Sequence, residues 1–257
     1  MKRSKKAIFA AVAALTIVAM TAPADAQSSK AAWRFQELVA LGTAMASSPG
    51  TENSGDTGWV NILTTHIKTP NAKELAIGVS LQCGLVTETK VASKGGTADS
   101  SSARGRIKIR VEITQPDGTV VNAEPDNGAD LGGTGINFST DGGVTYCDRF
   151  QQMEATFAGL NCTADLTTGV VTCEDPETLR LLLKTLNAHH FNFIHINAVP
   201  GVQKVSVQAR AEAGTALGGS QLGSAKAEAF AGAGVLSVET IRLVKDADGT
   251  TDLNDLR

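Results

Sequence analysis

The sequence is poor in aromatic residues and lacks the common catalytic motifs. Tryptophan, tyrosine and phenylalanine make up only 4% of the 257 residues, so few rings are available for the stacking surfaces that bind glycans or single-stranded nucleic acid. There is no GxSxG, no HExxH, no phosphate-binding GxxxxGK and no GxGxxG between a strand and a helix. These absences exclude the familiar hydrolase, zinc-protease and nucleotide sites. We therefore expect a protein without enzymatic activity.

The first 26 residues have the pattern of a secretory signal peptide. Lys2, Arg3, Lys5 and Lys6 precede an apolar run, and the small residues of ADA at positions 24–26 suit signal peptidase. The run is too short for a stable membrane span, although an uncleaved N-terminal anchor is the alternative. We expect an exported protein, periplasmic or extracellular, with no membrane span after cleavage.

Cleavage would also change the net charge. It removes four basic residues and one acidic residue, so the formal charge of −3 becomes −6. A mildly acidic surface repels phosphate backbones and anionic headgroups. Nucleic acid and membrane surfaces are therefore not expected as partners.

The four cysteines all lie beyond the signal peptide, and an even number in an exported chain predicts disulfides. Cys162 and Cys173 flank a sequence with a hairpin turn at its centre, and facing positions of a hairpin lie close enough to bridge. We pair Cys162 with Cys173, which leaves Cys83 with Cys147. A metal site is the competing interpretation, but no CxxC is present.

Strict alternation of apolar and polar residues predicts strands through most of the chain. In residues 73–86 the apolar residues occupy every second position: Leu75, Ile77, Val79, Leu81, Cys83 and Leu85. Residues 106–114 and 203–213 alternate in the same way. Because successive strand side chains point to opposite faces, each segment should bury one face in a core. The pattern predicts nine or ten strands in all.

One segment has the pattern of a helix. Asp175 suits an N-cap and Pro176 the first helical position. The leucines that follow have helical spacing and fall on one stripe: Leu179, Leu182, Leu183 and Leu186. The fold class we predict is all-β, an antiparallel, jelly-roll-like β-sandwich with this one inserted helix and two disulfides.

The predicted organisation has four parts. Residues 1–26 are the signal peptide, residues 27–57 an N-terminal arm and linker, residues 58–245 the sandwich domain, and residues 246–257 an acidic mobile tail. The arm either docks loosely on its own domain or inserts into the sheet of a neighbouring molecule.

Few residues qualify as ligands. Asp246, Asp248 and Asp252 resemble part of a calcium loop, but the glycine comes two positions early and no glutamate closes the loop. We expect no metal and no cofactor, with calcium as the alternative. Trp59 is the candidate for contact with a sugar, and His66 and His195 are the histidines to examine for a pocket.

Two runs carry a resemblance to known proteins. THIKTPNAKELAIGVSLQCGLVTETKV and the later AFAGAGVLSVETIRLVK resemble a group of exported bacterial β-rich proteins with no assigned function. The resemblance covers most of residues 59–245. It implies that this span is one domain and implies no chemistry.

Taken together, these features predict a secreted β-sandwich with a structural, adhesive or protein-interaction role. Its specific form would be self-association by addition of a strand at a sheet edge. A small-ligand or glycan-binding module, or an enzyme of an unrecognised class, is the alternative.

Overall fold

A computed structural model describes residues 31–36, 40–46, 50, 52–70, 73–93, 98–127, 136–156, 162–173, 177–219 and 223–242. The described residues contain strands and no helix. There are thirteen strands: β1 (Ala31–Gln36), β2 (Ala40–Ala46), β3 (Glu52–Asp56), β4 (Val60–Thr69), β5 (Lys73–Ser93), β6 (Ala98–Thr114), β7 (Val120–Asn122), β8 (Val144–Thr156), β9 (Cys162–Asp165), β10 (Val170–Cys173), β11 (Glu177–Ala198), β12 (Gly201–Gly219) and β13 (Ser224–Ile241). Within these ranges, no helix has the length and hydropathy of a membrane span.

The strands form two antiparallel sheets that pack face to face, and the predicted all-β sandwich is confirmed at this level. In the first sheet β1 and β2 both pair with β13, followed by β5 and then β11. In the second sheet β3 and β4 both pair with β12, followed by β6, which pairs with β7 and β8. β9 and β10 form a separate hairpin.

The core lies between the two sheets and is made by the alternation in the sequence. The predicted strand at residues 73–86 is part of the longer β5, and all six of its alternating apolar residues are buried. They face the buried side of β6, which contributes Ile107, Ile109, Val111 and Ile113. Burying one such side chain stabilises the fold by roughly 1.5–3 kcal/mol.

Small residues bring the two sheets together at the other end of the sandwich. Seven buried positions of β12 and β13 are alanines, among them Ala211, Ala213, Ala227 and Ala229. Close packing also extends to β2, where a Cβ on Gly42 would lie 2.7 Å from the carbonyl oxygen of Ala211. Only glycine fits that position without a shift of the backbone.

The predicted inserted helix is wrong. Residues 177–198 form the 22-residue strand β11, which pairs with β5 from Glu177 opposite Ser93 to His195 opposite Leu75. The helical spacing of the leucines is a local preference, and it is overridden here by pairing with the 21-residue strand β5, which lies far away in the sequence. Asp175 and Pro176, the predicted helix start, lie outside the described residues.

The described parts of the predicted N-terminal arm are strands of the two sheets. β1 and β2 pair with β13, and β3 pairs with β12. In this structure the segment therefore completes the chain's own sheets. The domain boundaries at residues 58 and 245 stay predictions, and the tail at residues 246–257 lies outside the described residues.

A disulfide joins Cys83 of β5 to Cys147 of β8, and it links the first sheet to the second. This predicted pairing is confirmed. Cys162 and Cys173 are directly opposite each other in the β9–β10 hairpin, although their side chains lie outside the described residues. The second disulfide stays a prediction.

Loss of the inter-sheet disulfide should destabilise the protein markedly. The bridge closes a loop of 64 residues, and in the chain-entropy model such a loop is worth about 4 kcal/mol. We expect the double variant Cys83→Ala, Cys147→Ala to lose about that much unfolding free energy in urea titrations. An unchanged midpoint and slope would contradict this role.

Candidate functional site

The strand β11 is the most exposed apolar element that the structure describes. In the described residues it pairs along one edge with β5 and otherwise only through a bridge between Ile194 and Glu124. Five of its leucines are 39–59% exposed, and we call them the leucine edge: Leu179, Leu181, Leu182, Leu183 and Leu186. An exposed strand with unpaired backbone and apolar side chains is a template for another strand.

A polar side chain of the opposite sheet contacts β5 and β11 beside the leucine edge. Gln151 of β8 lies between the sheets, where its amide oxygen accepts a hydrogen bond from Thr87 (2.7 Å) and its amide nitrogen donates to Thr89 (2.6 Å). The same nitrogen donates to the carbonyl oxygen of Leu181 (3.0 Å). This side chain therefore links β8 of the second sheet to β5 and β11 of the first.

A shallow groove crosses the outer face of the first sheet. It has a volume of about 270 Å³, and its lining includes Phe35, Ser80, Gln82, Ala188 and Val235. Phe35 is 79% exposed. Its walls are mostly apolar and come from four strands, β1, β5, β11 and β13.

Three polar side chains beside this groove form a hydrogen-bonded chain. Ser80 of β5 is directly opposite His190 of β11, and its Oγ lies 2.7 Å from Nδ1 of the imidazole. The other ring nitrogen, Nε2, lies 2.8 Å from Oδ1 of Asn192. This set as a whole has no signature in the sequence, because the serine lies 110 residues from the histidine. The available signal was local: His190 and Asn192 share one face of a strand.

The outer face of the second sheet carries buried positive charge. Arg104, Arg106 and Lys108 of β6 have no exposed surface, although the alternation at residues 106–114 predicts that Arg106 and Lys108 face solvent. Arg104 forms a bidentate pair with Asp148, at 3.1 and 2.6 Å. Arg106 donates to Glu212 through Nε at 2.8 Å. Paired charges of this kind can be buried, whereas isolated ones cannot.

The segment after the gap at residues 128–135 covers these cations. The carbonyl oxygens of Ile136 and Ser139 accept hydrogen bonds from Arg104 (3.0 Å) and Arg106 (2.7 Å). The ring of Phe138 lies under both guanidinium groups, with centroid distances of 4.8 and 4.9 Å. The charges thereby fix an irregular segment over the sheet.

Trp59, the predicted sugar contact, belongs to the same charged face. Its ring centroid lies 4.5 Å from the guanidinium carbon of Arg110 and 5.7 Å from Nζ of Lys108. Burial lowers the pKa of Lys108. The ring packs against protein cations and is half-buried, so it offers little free surface to a sugar.

The structure does not bring the two predicted histidines together. His66 is exposed on β4 of the second sheet, whereas His195 lies on β11 of the first, opposite Leu75. Among the described residues, no group of three or more histidine, cysteine, aspartate or glutamate side chains could hold a metal. Asp246, Asp248 and Asp252 lie outside them, so the calcium alternative stays a prediction.

A second cavity of about 260 Å³ opens beside the inter-sheet disulfide and is lined partly by Tyr146, Arg149 and His189. Tyr146 closes one side of it: the hydroxyl accepts a hydrogen bond from the Leu81 amide (2.8 Å) and donates to the His189 carbonyl oxygen. Burial raises the pKa of this phenol. The polar groups of Tyr146 serve to join the sheets.

No family model and no curated protein sequence matches this chain. Solved structures match it weakly. The structure of TmCBM61 in complex with β-1,4-galactotriose is 11% identical and covers 82% of this chain and 88% of its own, with a TM-score of 0.18. That of infectious bursal disease virus Gx strain is 14% identical and covers 90% of this chain and 44% of its own, with a TM-score of 0.17.

Eiger TNF from S. frugiperda is 8% identical and covers 85% of this chain and 100% of its own, with a TM-score of 0.17. The present chain spans less than half the length of the viral chain it matches. Similarities at this level carry no argument about function.

Removal of the buried acid that pairs with Arg106 should be costly. Glu212 and Arg106 are 2% and 0% exposed, and a buried pair that loses one partner typically costs 3–5 kcal/mol. We expect Glu212→Gln to lower the unfolding free energy by about 3 kcal/mol. Glu228→Gln, which breaks the more exposed pair with Lys226, is the matched control and should cost less than about 1 kcal/mol. Equal losses in the two variants would contradict this difference.

Stability should also fall between about pH 7 and pH 5 because of His195. Burial lowers the pKa of His195 below the ordinary value of a histidine side chain. The unfolded chain then takes up its proton first as the pH falls, so acid favours unfolding in this window. His195→Asn should show a smaller drop in melting temperature from pH 7 to pH 5 than the wild type. His66→Asn, at an exposed position, is the control, and parallel curves for all three proteins would overturn this assignment.

Proposed function

We propose that this protein is an exported β-sandwich that makes structural or adhesive protein contacts through the leucine edge of β11. The observation that carries the proposal is the exposure of five leucines on a strand whose outer edge has almost no partner in the described residues. Export is supported by the pattern of residues 1–26. Calcium has no supporting observation and is not part of this proposal.

Leucines on both faces of β11 favour strand addition over contact through one face. Leu179, Leu181 and Leu183 lie on the side of the core, and Leu182 and Leu186 on the outer side. A strand added to this edge would receive main-chain hydrogen bonds and would also cover side chains above and below the sheet. Contact with a flat surface would cover only one set.

The occupant that we propose is β11 of a second copy. Two copies related by a twofold axis perpendicular to the sheet would place their β11 strands side by side and antiparallel, which continues the antiparallel pattern of the first sheet. Each copy would then cover the other's leucines. The charged residue Arg180 would not oppose this arrangement, because Glu88 of the same chain already pairs with it at 2.6 Å.

We also infer that the sandwich is a jelly roll. If β1 with β2 and β3 with β4 are each counted as one strand, the main strands number eight when β7 and the β9–β10 hairpin are set aside. In chain order the two sheets then read 1-8-3-6 and 2-7-4-5. This interleaving supports the double Greek key of a jelly roll, in which the last strand lies beside the first.

Charged residues on the leucine edge should prevent self-association. We expect the mature protein to form a dimer in light scattering coupled to size-exclusion chromatography, and Leu182→Lys, Leu186→Lys to be monomeric because four buried ammonium groups would oppose the contact. The control Val120→Lys, Val202→Lys adds the same charge at exposed sites of the second sheet and should leave the dimer intact. A wild-type monomer at all concentrations would refute the self-association.

A second measurement separates strand addition from other contacts. On dilution of the dimer, amide hydrogen exchange should speed up in β11, because its outer amides lose their partners. Unchanged exchange in β11 across the transition would place the contact elsewhere.

A further inference from the structure

We propose that Ser80, His190 and Asn192 form a nucleophilic site that hydrolyses carboxylic esters with a small apolar acyl group. This activity goes beyond the proposed contact role and uses a different surface, the outer face of the first sheet. It also departs from the expectation of a protein without enzymatic activity, which depended on sequence motifs alone.

The hydrogen bonds assign the protons of this set. The amide oxygen of Asn192 can only accept, so Nε2 of His190 carries the ring proton. Nδ1 is then the basic nitrogen, and it accepts the hydroxyl proton of Ser80 across 2.7 Å. The nucleophile, base and orienting group are therefore in the order that an activated serine requires.

The β-sheet holds these groups in place. Ser80 lies on β5, which is paired on both sides, and His190 and Asn192 occupy alternate positions of β11. Gly78 leaves room for the imidazole: a Cβ there would lie 2.9 Å from Cε1 of His190 and 2.7 Å from Oγ of Ser237. Any larger residue at position 78 would displace the ring. Sites on regular strands are positioned more accurately than sites on loops.

The adjoining groove indicates the substrate class. Ser80 is one of its lining residues, and Phe35, Ala188 and Val235 make the surface beside it apolar. Its volume of about 270 Å³ is at the small end of ligand sites. Among the described residues, the lining supplies no cation for a charged acyl group. A short hydrocarbon chain therefore fits, with the ester carbonyl at the serine.

The reaction uses water and needs no other reagent. Oγ of Ser80 attacks the carbonyl carbon while its proton passes to Nδ1 of His190, and Asn192 accepts a hydrogen bond from Nε2 of the imidazolium. The bond to the alcohol then breaks, and the leaving oxygen takes the proton from Nδ1. Water loses a proton to Nδ1, adds to the acyl carbon and releases Ser80, which regains its proton. The products are a carboxylic acid and an alcohol.

The test is hydrolysis of p-nitrophenyl butyrate by the full-length mature protein, with an acid quench and peptide mass spectrometry. We expect a butyryl adduct on Ser80, and in Ser80→Ala a loss of the adduct together with a rate drop of about 100-fold or more. Ser237→Ala, which changes a serine on the same outer face, is the matched control. It should keep the adduct, the rate and the wild-type melting temperature. No adduct on Ser80, or equal rates in Ser80→Ala and wild type, would overturn the proposal.

Asn192 is a positioning residue, and its variants separate positioning from a structural role. Asn192→Asp places a carboxylate beside the Nε2 proton and favours the imidazolium, so the acid limb of the pH–rate profile should move to higher pH. Neither hydrogen-bond partner of His190 is charged in the wild type. His190→Gln should abolish the rate while the melting temperature stays within the range of the control. An unmoved pH profile in Asn192→Asp would remove Asn192 from the site.

Discussion

Backbone pairing along both edges of β5 is the constraint on which the rest of the first sheet depends. β13 pairs with one edge of this 21-residue strand and β11 with the other. Its inner face supplies six residues to the core, and Cys83 on that face is bonded to the second sheet. Its outer face carries Gly78 and Ser80. The core packing, the disulfide and the polar set at His190 therefore all depend on β5, because each requires the register in which β5 pairs with its neighbours.

The polar side chains on the outer faces of the two sheets differ in whether they are covered or exposed. On the second sheet, cations of β6 are paired with acids and covered by a segment whose carbonyl oxygens accept their remaining protons. That face is closed and serves stability. On the first sheet the polar chain from Ser80 to Asn192 stays exposed beside an apolar groove. Of the two faces, the outer face of the first sheet is the one that leaves reactive groups within reach of a small molecule.

Sequence patterns predicted the features that depend on neighbouring residues. Alternation at residues 73–86 and 106–114 identified β5 and β6 and their buried faces. The even number of cysteines, with Cys162 assigned to Cys173 across a hairpin, left the bridge between Cys83 and Cys147. The leucines after position 178 failed as a predictor because helical spacing and strand pairing were both compatible with them, and only the partner β5 decides between the two. The hydrogen-bonded chain of Ser80, His190 and Asn192 could not be predicted for a related reason. Register between strands 110 residues apart has no local signal.

The distances in sequence between paired strands bear on how the molecule can fold. The two neighbours of β5 begin at Glu177 and Ser224, roughly 100 and 150 residues after Lys73. Neither edge of β5 can therefore be completed until most of the chain has been synthesised, and the loops that must close first are long. Folds with such distant contacts acquire their structure slowly. The central strand of the first sheet is among the earliest parts of the domain to be made and among the last to be enclosed.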